Sequence, residues 1–128
     1  MDIIEALKTD YQNFPKDQTF SLYAEDVFFK DPMTEFKGCD RYQKMIGFID
    51  RWFTEPQLDL HGIEQHHRHI RTDWTLQWTT PLPWKPRISI SGWSELDLND
   101  TGLIMSHIDY WHCSPLDVFK QHVPFFKA

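Results

Sequence analysis

Gly102-Leu-Ile-Met-Ser-His-Ile-Asp-Tyr-Trp-His112 reads as a strand whose alternation sends His107, Asp109 and Trp111 to one face, together with Leu103 and Met105. An imidazole and a carboxylate leaving an otherwise apolar strand predict a pocket, because burying them unpaired is costly. Just upstream, Asn99-Asp-Thr-Gly102 is a tight hairpin signal. It joins the His107 strand to an alternating run marked by Ile88, Ile90, Gly92, Leu96 and Leu98. Further back, Ile70, Thr72, Trp74, Leu76 and Trp78 mark another strand, and Leu58 and Leu60 begin a fourth. Short connections predict antiparallel neighbours. Pro81-Leu-Pro-Trp-Lys-Pro86 is a stiff link between two of them.

Before Gln57 the period is helical. Ile3, Ile4, Leu7, Tyr11 and Phe14 recur at helix spacing behind Asp2 as cap, and Pro15 ends the run. A second helix is expected after Asp17, with Phe20, Tyr23 and Ala24 inward. Val27-Phe-Phe-Lys-Asp-Pro32 reads as a brief strand, with Phe36-Lys-Gly38 as its partner. Asp40 is expected to cap a third helix carrying Tyr42, Met45, Ile46, Ile49, Trp52 and Phe53, a stripe read as core rather than as a cofactor box. Ser114-Pro115, with Asp117 in the first turn, opens a short final helix. The order predicts one α+β domain over residues 1–128, helices first and then a long curled antiparallel sheet.

Composition narrows the function. With 41% hydrophobic and 16% aromatic residues the chain folds around an aromatic-rich core and is not disordered. A formal net charge of -6 argues against nucleic acid or an anionic membrane as partner. Cys39 and Cys113 form no disulfide framework and no C-x-x-C pair, which predicts reduced thiols and a cytoplasmic setting. Met-Asp-Ile-Ile-Glu-Ala-Leu-Lys reads as a helix start rather than a targeting leader, and no stretch approaches membrane-spanning length.

Three motifs, Tyr23-Ala-Glu-Asp-Val-Phe-Phe-Lys-Asp-Pro32, Gly38-Cys-Asp-Arg-Tyr42 and the run from Gly102 to Trp111, occur in an order that resembles the nuclear transport factor 2-like, or SnoaL-like, superfamily. The resemblance covers nearly the whole chain. It implies a cone-shaped, strongly curved antiparallel sheet wrapped around three N-terminal helices, a cavity inside the cone, and a homodimer through the outer sheet face. Arg71-Thr-Asp-Trp74, Leu82-Pro-Trp-Lys-Pro86, Ile90-Ser-Gly92 and His107-Ile-Asp109 are similar to an uncharacterised cyanobacterial and plastid branch. Superfamily members include isomerases, cyclases, epoxide hydrolases and carriers, so fold does not select a chemistry.

Asp109 stands where limonene-epoxide-hydrolase-like relatives place an acidic catalytic residue. Phe29-Lys-Asp31 resembles their tyrosine-x-asparagine pair without its hydroxyl, and Arg71-Thr-Asp73 has their arginine-x-aspartate spacing. Periodicity nevertheless puts Arg71 and Asp73 opposite Trp74, Leu76 and Trp78, towards solvent or a partner. The candidate catalytic residues are therefore Asp109 and His107, and the candidate ligand contacts are Asp31, Phe29, Trp74, Trp111 and Met105. Asp31 before Pro32 also fits a turn-former. No cofactor is implied, and His66-His-Arg-His69 reads as a solvated turn rather than a metal site. Trp84 on the stiff link either packs or docks a partner. The expected function is binding of a small apolar ligand in a mainly apolar pocket. An acid–base enzyme using Asp109 with His107 and a protein-interaction module remain alternatives.

Overall fold

Residues 2–124 are described in a computed structural model of the chain. Helix α1 (Ile3–Asn13) starts at Asp2, whose side chain accepts from the Ile4 amide. Strands β1 (Tyr23–Lys30) and β2 (Glu35–Lys37) precede helix α2 (Cys39–Trp52). Four strands follow: β3 (Thr54–His66), β4 (His69–Thr79), β5 (Arg87–Leu98) and β6 (Ile104–Trp111). Helix α3 (Pro115–Gln121) closes the described chain.

The six strands form one curved, unclosed sheet in the order β2-β1-β6-β5-β4-β3. This is the α+β cone that the motifs imply. Two details differ from expectation. The sheet is mixed, because β1 returns beside β6 in parallel while every other pair is antiparallel. The third α-helix is C-terminal rather than N-terminal, because the segment after Asp17 forms only a single 3-10 turn, Phe20–Leu22. Asp17 has a left-handed backbone (φ 52), which interrupts helical propagation. Tyr23 and Ala24 then enter β1, drawn there by pairing with β6.

Helix α2 begins one residue before Asp40. Its N-cap is Gly38 at φ 114, a conformation L side chains rarely adopt, and the Gly38 amide donates to the Val27 carbonyl. Other local signals operate as read. Asn99 Oδ1 accepts from the amides of Thr101 and Leu103, and Gly102 takes φ 83. Ser114 and Asp117 exchange both bonds of a capping box around Pro115.

The core lies between the helices and the inner sheet face. Leu7, Val27, Ile70, Leu96 and Ile104 fill one end, while Val118 of α3 packs on Trp78, Ile88 and Ile90 at the other. The stiff β4–β5 link is tied down there: Trp84 Nε1 donates to the His122 carbonyl at 2.7 Å, although the ring stays half exposed. His66–His69 spans the β3–β4 turn, with His67 left-handed and His69 between Glu95 and Asp97. No described helix is long and apolar enough to cross a membrane.

Candidate ligand-binding site

A cavity of about 300 Å³ opens between α1, α2 and the inner sheet face. Tyr11 comes from α1, and Tyr42, Met45, Ile46 and Ile49 come from α2. The sheet contributes Phe29 from β1, Trp74 and Trp78 from β4, Ser94 from β5, and His107, Asp109 and Trp111 from β6. The α2 stripe is thus cavity wall as much as core. Trp52 leaves it altogether, half exposed beneath the Arg51 guanidinium. Met33, which is well exposed, marks the rim.

The polar groups on this wall form one chain across neighbouring strands. Register places Thr72 beside Ser94 and Ser94 beside Asp109. Trp74 Nε1 donates to Ser94 Oγ at 2.9 Å, and the Ser94 hydroxyl donates to Asp109 Oδ1 at 2.5 Å. His107 Nε2 lies 2.7 Å from the same Oδ1. An ionised carboxylate only accepts, so Nε2 carries the proton. His107 Nδ1 lies 3.2 Å from the Tyr23 hydroxyl, which meets Tyr42 at 3.0 Å. Phe29 backs the imidazole, its ring centroid 5.1 Å away. The parallel β1/β6 pairing sets this contact by placing Phe29 beside His107.

Burial and the charge of Asp109 push the Tyr11 phenol up to about 12, against the opposing bond to Thr72. Burial likewise raises Tyr23 and Tyr42. All three phenols therefore stay protonated at neutral pH and can donate.

Asp109 uses its two oxygens differently. Oδ1 takes both donors, whereas no hydrogen bond among the described residues reaches Oδ2. Every fully buried side-chain polar atom in that set has a partner, so Oδ2 is the oxygen in contact with the cavity. Asp10 also borders the space, but Thr19 occupies both of its oxygens. Asp31 turns the chain at the rim: Oδ1 accepts from Met33 and Thr34 amides at 2.8 and 2.7 Å. The turn-forming and cavity-lining readings of Asp31 therefore coexist. Burial raises its carboxyl despite these bonds, and the nearby Asp109 charge adds to the rise.

Of the residues singled out from sequence, Asp109, His107, Asp31, Phe29, Trp74 and Trp111 line the cavity. Met105 does not. Asp97 pairs with Ser106 and Leu98 with Ile104, so Met105 is the extra residue of a bulge. The bulge reverses the alternation: Ile104 turns inward and Met105 outward, 47% exposed. Arg71 and Asp73 pair with each other at 3.0 Å on the outer face, with Arg71 over the Trp93 ring. They are outside the cavity, as periodicity predicts.

Sequence reasoning passed over Ser94, Thr72 and Tyr11. Ser94 was detectable as a polar residue on the face of β5 that carries Ile90 and Leu96. Tyr11 was not, since a helical tyrosine at core spacing carries no mark of its bond partner.

A family described as "Uncharacterized conserved protein (DUF2358)" matches residues 1–107. The chain belongs to DUF2358. No curated protein matches it in sequence. Solved structures match this DUF2358 domain throughout its length. One is a protein with a ketosteroid isomerase-like fold from Catenulispora acidiphila in complex with trimethylamine: TM-score 0.75, 14% identity, covering 99% of this chain and 97% of that one. Another is an LEH-like epoxide hydrolase from M. tuberculosis, with TM-score 0.69, 18% identity and coverage of 92% of this chain and 84% of that one. A third, an NTF2-like protein of unknown function from Exiguobacterium, has TM-score 0.72, 12% identity and coverage of 88% and 100%. At these identities the likeness establishes the NTF2-like fold of the DUF2358 domain.

Proposed function

We propose that this DUF2358 domain binds a small, mainly apolar molecule in its cavity. Asp109 and Asp31 supply the polar contacts, with Trp74, Trp111 and Phe29 as walls. One observation carries the reading: a preformed aromatic hollow contains a carboxylate oxygen that no hydrogen bond among the described residues reaches. Its volume of about 300 Å³ is at the lower end of small-molecule sites, roughly 300–1,000 Å³. A similarly folded protein is in complex with trimethylamine, which fits binding of a small organic molecule by this fold. The existence of the cavity disfavours a pure interaction module, which has no need of one.

A second reading, acid–base catalysis, rests on the division of labour at Asp109. His107 and Ser94 hold Oδ1, which leaves Oδ2 aimed at bound substrate as a general base. The reaction would be an isomerisation, a cyclisation or an epoxide-type hydrolysis. For the last, Phe29 lacks a hydroxyl to position water.

We also propose a homodimer through the outer sheet face, where Trp93 stacks on Tyr110 at 4.9 Å and Met105 is exposed. The free thiols of Cys39 and Cys113 fit a cytoplasmic, reducing setting. The similarity to a cyanobacterial and plastid branch belongs with these proposals.

Native mass spectrometry of purified protein, followed by extraction and identification of any retained molecule, tests the binding reading. A stoichiometric organic adduct is expected. Asp109→Asn then separates the readings: a carrier keeps its ligand, whereas an enzyme retains bound substrate and loses turnover.

A further inference from the structure

The charges on the cavity wall have one sign. Among the described residues the lining holds Asp10, Asp31 and Asp109, and neither Lys nor Arg. Asp10 offers a ligand no free acceptor, because Thr19 engages both oxygens. Asp31 and Asp109 are left, each with one oxygen that no hydrogen bond among the described residues reaches. His107 does not reverse the balance. Even as an imidazolium it cancels one carboxylate and leaves the other.

The walls have the matching character. Nine lining side chains are Phe, Tyr or Trp. Trp111 shares the inner face of β6 with Asp109, and Trp74 reaches it through Ser94. Aromatic faces attract cations, most strongly where water is excluded. The same walls repel an anion, which would also meet the carboxylates of Asp31 and Asp109.

We infer that the molecule bound in this cavity carries a positively charged nitrogen, a protonated amine or quaternary ammonium, seated at Asp109 Oδ2 between Trp74 and Trp111. This rests on the binding reading and narrows its ligand class. Asp31 and Asp109 lie close enough for the charge of one to disfavour ionisation of the other. A cation between them removes that repulsion, which an uncharged ligand of the same shape cannot do.

Three probes of nearly one shape test the inference: choline, its neutral carbon analogue 3,3-dimethylbutan-1-ol, and anionic 3,3-dimethylbutanoate. Each is titrated into the intact, isotope-labelled protein while the indole N–H resonances of the Trp residues are followed. Choline should bind at least tenfold more tightly than the neutral alcohol, with the carboxylate weakest. Asp109→Asn should shrink the advantage of choline over the alcohol several-fold. The comparison among probes needs no variant, so it stands even if Asp109→Asn fails to fold. Equal affinity for choline and the alcohol, or preference for the carboxylate, overturns the cation inference and leaves the binding reading intact. If no probe shifts any indole resonance, both fall.

Discussion

Asp31 ionises at the cavity rim against its own burial and the charge of Asp109, so its carboxyl is raised above the ordinary value. Between the ordinary and the raised value the folded state binds more protons than the unfolded state. Stability therefore falls as pH rises through that window. Asp31→Asn keeps a carbonyl to accept from Met33 and Thr34. It should raise Tm at neutral pH, with the gain vanishing in melts run below the carboxylate range. A Tm loss at neutral pH would mean that the carboxylate charge itself stabilises the turn. Tyr11 follows the same rule at the alkaline end. Its phenol, at about 12 rather than 10.0, stays protonated in the fold while unfolded tyrosines ionise, so stability declines above pH 10. Tyr11→Phe removes the share of Tyr11 in that decline, leaving the shares of Tyr23 and Tyr42, and strips the fully buried Thr72 hydroxyl of its partner. The expected cost at neutral pH is about 1–3 kcal/mol, measurable by urea unfolding.

At the scale of elements, local chemistry and long-range pairing divide the readings cleanly. Caps and tight turns were legible because their partners lie within four residues, as at Asp2, Asn99 and Ser114. The residues after Asp17 carry helical spacing, yet they form one 3-10 turn and then enter β1, because the decisive partner, β6, lies some eighty residues away. The Met105 bulge was invisible for the same reason: a bulge is a mismatch between two strands and belongs to neither sequence alone. Two substitutions probe these elements. Ser114→Ala removes the cap of α3 and should cost about 1 kcal/mol, with faster amide exchange in α3 before the sheet is affected. Gly92 is demanding for another reason. A Cβ there would run into the Tyr110 carbonyl and crowd the Trp74 ring. Gly92→Ala should therefore destabilise by about 1–3 kcal/mol and shift the Trp74 indole resonance. An unchanged melt would show that β5 and β6 separate without penalty.

For the molecule as a whole, a ligand in the cavity couples to the entire fold, since α1, α2, β1, β4, β5 and β6 all border it. A ligand present at a hundred times its Kd should stabilise by about 2.7 kcal/mol, roughly 10 °C in Tm for a domain of this size. A compound that perturbs resonances but leaves Tm flat would be bound outside the cavity. Sequence by itself determined the class of fold, most strand positions, the caps of α1 and α3, and the candidates His107, Asp109, Trp74 and Trp111. It could do so because alternation, helical spacing and turn chemistry are properties of neighbouring residues. Periodicity argued for Arg71 and Asp73 facing outward, and the structure decided it. Tertiary structure alone decided that Met105 faces out, that Ser94 and His107 share one oxygen of Asp109, and that the other oxygen meets an aromatic hollow. Those facts depend on which strands lie side by side and in what register, and register is set by contacts between residues far apart in the chain.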